Sequence, residues 1–182
     1  MTFWHGKRVL ITGHTCFKCS WLSLYLKHLG ACVFGYSLKP KPVSLFNIAN
    51  IGREQESLFA DIRNFSLLES YIKQSKPDLV FHLAAQSLVG VSHHSPIETV
   101  EVNILGSANL LMAAKNVESV RCVINVTSDK CYNNNNLGLP FKESDRLGGT
   151  DPYSATKACV EIINNSFLKS YYAKKPIGLS SV

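Results

Sequence analysis

Two stretches of the sequence carry side chains that could move protons. Ser128, Asp129 and Lys130 are consecutive, so a hydroxyl, a carboxylate and an amine directly follow an apolar run. Tyr153 and Lys157 have the spacing that puts a phenol and an ammonium on one face of a helix. A nearby cation favours the phenolate and lowers the pKa of a tyrosine, which makes the phenol a usable base.

The Tyr-x-x-x-Lys spacing alone does not single out one pair, because Tyr171 and Lys175 repeat it. Position distinguishes the two pairs. Tyr153 opens its predicted helix just after a long polar loop, whereas Tyr171 lies about five helical turns further on. We therefore interpret the second pair as a chance match.

The elements that must position these residues alternate along the chain. The apolar patterns predict strands at Arg8–Thr12, Ala31–Tyr36, Ser57–Ala60, Leu79–Leu83, Val120–Thr127 and Ile177–Val182. They predict helices at Phe17–Leu29, Phe65–Gln74, Pro96–Lys115 and Tyr153–Ala173, and loops at Lys39–Pro42 and Cys131–Gly149. This alternation predicts an α/β fold, a Rossmann-type doubly wound parallel sheet. Ligands of such sheets bind beyond the carboxyl ends of the strands.

The turn after the first strand is where such a fold holds a pyrophosphate, and here it is unusual. Gly13 is present, but Cys16 and Cys19 occupy the positions of the second and third glycines of the extended motif. We expect a side chain at position 16 to intrude on the phosphates, with added strain if the backbone there has positive φ. Position 19 must fit a close helix–sheet contact. A Cys-x-x-Cys redox pair or half a zinc site is the alternative, but no second such pair exists and no metal site is predicted.

Length and composition limit the class of protein. A chain of 182 residues suffices for one domain. The net charge of +6 is scattered, so nucleic-acid binding is not predicted. Membrane insertion is not predicted either. Residues 1–7 carry no signal-peptide pattern, so we expect a cytoplasmic protein with reduced thiols. We interpret residues 1–182 as one dinucleotide-binding domain, incomplete at its C-terminal end and without a second domain.

Four motifs together resemble a known family. They are Thr12–Lys18 with Gly13 and Phe17, His82–Gln86, Asn125–Tyr132, and Asp151–Ser154 with Lys157. In these motifs the chain resembles the extended short-chain dehydrogenase/reductases and, within them, the CDP-glucose 4,6-dehydratases. Ser128-Asp129-Lys130 is the most specific part, because the dTDP-glucose 4,6-dehydratases have Thr-Asp-Glu there.

The resemblance implies a redox cycle on a nucleotide sugar with NAD as bound cofactor. In such a cycle a hydride leaves C4 for NAD, the C6 hydroxyl is lost as water, and the hydride returns to C6. Tyr153, assisted by Lys157, would take the proton from the C4 hydroxyl, to which Ser128 would hydrogen-bond. Lys130 would help to remove the C5 proton, and Asp129 would protonate the leaving hydroxyl.

The resemblance also implies a set of cofactor-binding residues. The pyrophosphate turn would contain Gly13, His14, Cys16, Phe17 and Lys18. Asp61 and Ile62 would lie at the adenine, and the remaining contacts would come from Ala84, Ala85, Gln86 and Thr127. No acidic residue follows the second strand, where Lys39 could suit a 2′-phosphate, so NAD is preferred over NADP on the resemblance alone. A homodimer through the two long helices is a further expectation.

Two departures from the family pattern leave alternatives open. The cysteines at positions 16 and 19 are expected to weaken NAD binding, and the chain ends before the substrate-binding region of the family. An impaired or inactive dehydratase is therefore expected. The alternatives are a non-catalytic truncated remnant and a Rossmann-like binding module.

Overall fold

The computed structural model describes residues 3–134 and 138–182. Asn135 and Asn136, in the predicted loop Cys131–Gly149, lie outside the described residues. Within these residues six strands form one parallel sheet in the order β3-β2-β1-β4-β5-β6. The strands are β1 Arg8–Thr12, β2 Cys32–Ser37, β3 Glu56–Phe59, β4 Leu79–His82, β5 Cys122–Asn125 and β6 Gly178–Ser181. The predicted doubly wound sheet is confirmed, and its order reverses between β1 and β4.

The helices follow the strands as the alternation predicted. They are α1 Phe17–His28, α2 Leu45–Ile48, α3 Phe65–Ser75, α4 Val89–His94, α5 Pro96–Val100, α6 Gly106–Lys115 and α7 Pro152–Phe167. Five-residue π-helical turns join α5 to α6 and extend α7, at Glu101–Leu105 and Leu168–Tyr172. The two long predicted helices are therefore present, each with a local change of winding.

The sequence patterns missed the short elements. The helices Leu45–Ile48 and Val89–His94 and the 3-10 turns Ile51–Arg53 and Asp129–Cys131 all lie in segments interpreted as connections. Helices this short span fewer than two turns, so they show no apolar period. The strands β4 and β5 are also shorter than predicted, because pairing ends where the chain turns into the site loops.

The core divides between the two faces of the sheet. The larger cluster joins Leu10 and Val80 of the sheet to Leu68 of α3 and Leu111 of α6, all of them fully buried. The smaller cluster lies under α1 and contains Val9, Ile11, Val33, Cys19 and Leu26. Both faces of β1 are thus covered, which explains its unbroken apolar run.

The packing face of α1 only partly follows its apolar residues. Leu26 is buried and Leu22 packs against the sheet cluster, but Trp21 and Tyr25 are 55% and 61% exposed. The small side chains Cys19, Ser20 and Ser23 are buried in their place. Small side chains let the helix axis approach the sheet closely, and bulky rings on that face would hold it away. The apolar period therefore predicts this helix but not the exposure of Trp21 and Tyr25, because close approach matters more there than apolar area.

His14 is buried beneath the turn instead of lying exposed along it. Its ring is fully inaccessible and lies against Phe46 and Phe59, with centroid distances of 5.3 and 6.0 Å. The ring also occupies the space beside Gly35, where a Cβ would come within 2.4 Å of it. Burial lowers the pKa of His14 to about 4.

The described residues contain no helix that combines the length and apolar character needed to cross a bilayer. The predicted dimer helices do expose apolar side chains, with Ile97 71%, Leu105 49% and Ile162 59% accessible. The homodimer stays a prediction.

Acid should destabilise the fold partly through His14. Since its pKa is lowered from 6.5 in the folded chain, the unfolded chain binds more protons between pH 6.5 and 4, and stability falls as the pH falls. Between pH 7 and 5 this group alone should cost about 2 kcal/mol of unfolding free energy. Urea unfolding of His14→Phe should show a loss of unfolding free energy between pH 7 and 5 that is smaller than the parent's by that amount. His28→Phe makes the same change at an exposed position and should retain the parent's loss; equal losses in all three proteins would contradict the assignment.

Candidate active site

The last residues of three central strands lie side by side at the carboxyl edge of the sheet. Thr12 pairs with His82, and His82 pairs with Asn125 in the next strand. All three side chains are buried. The loops that leave these residues therefore begin at the same level of the sheet and form the walls of the site.

A buried hydrogen-bond chain fixes this edge. Thr12 Oγ1 lies 2.7 Å from His82 Nδ1, and His82 Nε2 lies 3.0 Å from Ser107 Oγ. Ser107 Oγ donates to the Asn103 carbonyl at 2.6 Å, so it accepts from Nε2–H, and Nδ1 is left to accept from the Thr12 hydroxyl. This order requires a neutral imidazole, in agreement with the pKa of His82, which burial and then the charge of Lys157 lower to about 3.

Thr12 and Asn103 tie the loop after β4 to its surroundings. The N–H groups of Leu83 and Ala84 both donate to Thr12 Oγ1 at 3.2 Å. Asn103 accepts from the Gln86 N–H at 2.8 Å and donates to Thr156 Oγ1 of α7 at 2.9 Å. The loop after β4 and the helix α7 are thus held at a fixed separation.

A groove of about 140 Å³ opens where the strand order reverses. Its lining residues come from the loops after β1, β2, β3 and β4 and from α5 with the turn that follows: Gly13, Thr15, Cys16, Tyr36, Ser37, Leu38, Ala60, Asp61, Ile62, Arg63, Ala84, Ala85, Glu98 and Val102. Six of the residues predicted for cofactor binding line it, namely Gly13, Cys16, Asp61, Ile62, Ala84 and Ala85. The groove lies where the fold class places a dinucleotide.

The turn at the end of β1 has the geometry of a dinucleotide turn at Gly13 and a changed surface at Cys16. Gly13 has φ +76°, and a Cβ there would lie 3.0 Å from the Ala84 backbone. Cys16 has φ −76° and ψ 160°, an ordinary extended conformation that begins α1. The condition for strain at position 16, a positive φ, is therefore not met, and the exposed thiol acts only through the space that it takes.

Cys19 occupies a different environment. Its side chain is 2% exposed and packs with Val9, Ile11 and Leu26, as the expected helix–sheet contact requires. Burial raises its pKa to about 12, so the thiol stays protonated. Both cysteines are free thiols.

Arg63 is a groove residue that the sequence analysis missed. Its guanidinium holds both oxygens of Asp61, at 3.0 Å from Nε and 2.6 Å from Nη2, and reaches Glu101 at 2.8 Å. The hydrogen bonds from Arg63 keep the pKa of Asp61 below its usual value. The Asp-x-Arg spacing after β3 was the available signal.

The other predicted cofactor residues lie outside the groove lining. Phe17 and Lys18 are exposed on the first turn of α1, and the side chain of Gln86 bonds the Leu88 backbone and Thr99. The Thr127 hydroxyl donates to Glu161, a residue of α7 that was also missed.

Tyr153 and Lys157 share one buried face of α7. Lys157 Nζ lies 5.9 Å from the centroid of the Tyr153 ring and donates to the Val126 carbonyl at 3.3 Å. Lys157 is 6% exposed, and burial lowers its pKa to about 8. The structure thus brings this predicted pair to the loop after β5.

The predicted triplet lies on that same loop. Ser128 Oγ donates to Asp129 Oδ1 at 3.1 Å and accepts from the Lys130 N–H at 3.2 Å. Asp129 and Lys130 are exposed on the 3-10 turn that follows. The five predicted catalytic residues therefore occupy two adjoining elements, and two of them border open solvent.

The second Tyr-x-x-x-Lys pair lies beyond the carboxyl end of α7. Tyr171 contacts Lys115 Nζ at 4.4 Å from its ring centroid, and Lys175 Nζ donates to the Lys115 carbonyl. These contacts join α6 to the end of α7 and are far along the chain from the site loops.

Comparison with known proteins places this geometry in a family. Residues 10–180 match the family model described as GDP-mannose 4,6 dehydratase. The chain is 45% identical to the CDP-glucose 4,6-dehydratase of Salmonella typhimurium, over 99% of this chain and 52% of that relative. It is 31% identical to the dTDP-D-glucose 4,6-dehydratase of Dictyostelium discoideum, over 91% of this chain and 41% of that relative. The chain spans about half the length of the curated relatives it matches.

Solved structures agree with the fold. The UDP-glucose 4-epimerase of Stenotrophomonas maltophila, solved with bound NAD and formylated UDP-arabinopyranose, superposes with a TM-score of 0.82 and 26% identity. That match covers 96% of this chain and 52% of the epimerase. The Thermus thermophilus UDP-glucose 4-epimerase in complex with NAD gives 0.80 and 27%, covering 91% of this chain and 52% of its own.

The buried chain through Thr12 should be essential for the edge of the sheet. Thr12→Val keeps the shape but leaves two N–H donors and His82 Nδ1 without their partner, so we expect a loss of about 3 kcal/mol in unfolding free energy. Thr150→Val makes the same change at an exposed position and should cost little. Urea denaturation of both variants measures this difference, and similar losses would contradict the assigned role.

Proposed function

The chain belongs to the GDP-mannose 4,6-dehydratase family, and we propose that it carries the cofactor-binding and proton-transfer residues of an NAD-dependent dehydratase acting on CDP-glucose. The product would be CDP-4-keto-6-deoxyglucose. The observation that carries this proposal is the buried Tyr153–Lys157 pair, held at the loop after β5 by the bond from Lys157 to Val126. The 45% identity to a CDP-glucose dehydratase supports the choice of nucleotide.

The groove residues fit a dinucleotide. Leu38, Ile62 and Ala84 offer apolar walls for an adenine, and the turn from Gly13 to Cys16 directs the amino end of α1 at the position of a pyrophosphate. NAD is preferred over NADP because two similar epimerases were solved with NAD. When bound, NAD would supply the reversible oxidation of the sugar.

Tyr153 would act as the base at the C4 hydroxyl. The Lys157 ammonium beside the buried Tyr153 ring would favour the negative charge that forms when the phenol gives up its proton. The bond to the Val126 carbonyl orients the lysine so that its charge stays near the ring. Ser128 would hydrogen-bond the same sugar hydroxyl.

Asp129 and Lys130 would serve the elimination of water. A 4-keto group acidifies the proton at C5, so the amine of Lys130 can help to remove it. A carboxylic acid can give its proton to the C6 oxygen as that oxygen leaves. Both side chains are exposed in this chain, so they can reach a sugar that lies on the loop after β5.

Cys16 is the residue that we propose weakens cofactor binding. A glycine at this position lets a pyrophosphate approach the backbone closely, and a Cβ with its thiol takes up that space. Because the backbone at position 16 is already ordinary, removal of the side chain should restore the space without changing the turn.

Isothermal titration with NAD tests this point. Cys16→Gly should bind NAD at least about tenfold more tightly than the parent, equivalent to about 1.4 kcal/mol. Cys19→Gly is the matched control: it should leave the affinity unimproved and lower stability by about 2 kcal/mol, because it removes a buried side chain and places glycine in a helix. Equal affinity of the parent and Cys16→Gly would contradict the proposal.

A hybrid enzyme tests the reaction. Residues 1–182 would replace the matching half of the Salmonella typhimurium relative, and mass spectrometry would detect the loss of one water from CDP-glucose. Cys16→Gly should raise turnover at low NAD concentration, and Tyr153→Phe in that background should lower it at least about 100-fold.

The alternative functions predict other outcomes. A hybrid that folds and binds NAD but makes no product, even with Cys16→Gly, would favour a non-catalytic remnant. A chain that binds no NAD in any variant would favour a binding module of another kind.

A further inference from the structure

Glu161 completes a line of three functional side chains along α7. It follows Lys157 by one helical turn and Tyr153 by two, so the three residues share one helix face. Its carboxylate accepts hydrogen bonds from the hydroxyl of Thr127, just after β5, and from that of Ser181 in β6. The hydroxyls of Thr127 and Ser181 therefore fix the position of this carboxylate, one helical turn from the lysine.

Lys157 needs a compensating charge because of where it lies. Burial opposes its ammonium form, and Lys18 of α1 acts in the same direction, whereas Glu161 is the largest influence that favours the charge. Two other titratable neighbours carry no negative charge that could favour the ammonium. Cys131 has a pKa raised to about 11, so its thiol stays protonated, and His82 is neutral. Glu161 is thus the principal anion acting on Lys157 among the described residues.

We propose that Glu161 is a positioning residue of the candidate base: its carboxylate, fixed by Thr127 and Ser181, keeps Lys157 in its ammonium form beside Tyr153. The inference rests on the proposed role of the Tyr153–Lys157 pair. A neutral lysine would give the phenolate nothing to stabilise it, so the negative charge on Glu161 matters although Glu161 does not contact the ring. The hydroxyl of Thr127, predicted to serve the cofactor, acts here on the carboxylate.

Titration of Lys157 in the cofactor-free chain tests the proposal. In protein labelled with 13C and 15N at lysine, the side-chain signal of Lys157 is assigned by its absence from Lys157→Met and followed with pH. Glu161→Gln should lower the affinity of the amine for a proton at least about tenfold, seen as a titration midpoint about 1 pH unit lower. Glu161→Asp, which keeps the charge on a shorter side chain, should give an intermediate midpoint.

Glu69→Gln is the matched control. Glu69 also lies one helical turn from a lysine, Lys73, and is on α3 away from the site. This variant removes the same charge from the chain and should leave the Lys157 midpoint unchanged. A midpoint that falls equally in Glu69→Gln would show a general charge effect and overturn the proposal.

The remaining outcomes also decide the matter. An unchanged Lys157 midpoint in folded Glu161→Gln would overturn the proposal. If that variant fails to fold, Glu161→Asp serves alone, and a midpoint equal to that of the parent overturns it. Because no cofactor or substrate is present, absence of NAD binding or of dehydratase turnover would defeat the proposed function and leave this result standing.

Discussion

The site depends on one buried histidine that must remain neutral. His82 links Thr12 at the end of β1 to Ser107 in α6, and Thr12 in turn holds the loop after β4 by its backbone N–H groups. A charged imidazole would offer two donors where one acceptor is required, and it would face the buried ammonium of Lys157. The neutral ring therefore sets both the shape of the strand edge and the charge balance around the candidate base.

The polar residues of the site likewise occur in hydrogen-bonded groups. Asn103 connects the loop after β4 to α7, Arg63 holds Asp61 against Glu101, and Glu161 joins two strand ends to the helix of Tyr153. Each set spans elements that are distant in sequence. A site of this kind keeps its geometry only if the whole carboxyl edge of the sheet is in place, since removal of one partner leaves another buried group unsatisfied.

Much of the architecture could be predicted from the sequence, because β1, β2, β4 and β5 are mostly apolar and the helices α3 and α7 have an apolar period. The prediction failed where another constraint was stronger. On α1 the need for close approach put Ser20 and Ser23 inward and Trp21 outward. His14 was expected along the turn, and its burial depends on the space beside Gly35 and on Phe46 of α2 and Phe59 of β3, which are distant from it in the sequence. Glu161 was missed because its partners Thr127 and Ser181 are distant in the sequence, whereas Arg63 was missed although Asp61 is two residues away.

Cys16 and Cys19 show that cysteine in place of a motif glycine can have different consequences at two positions three residues apart. At position 19 the side chain points into a helix–sheet contact that has adjusted to it, and the thiol adds to the buried apolar surface. At position 16 the backbone is equally relaxed, but the side chain projects towards the groove. The fold therefore tolerates both cysteines, and Cys16 is the one that lines the groove. A missing glycine in such a turn bears on function only where the replacing side chain fills space that a bound ligand would take. Under the proposed function that position is Cys16.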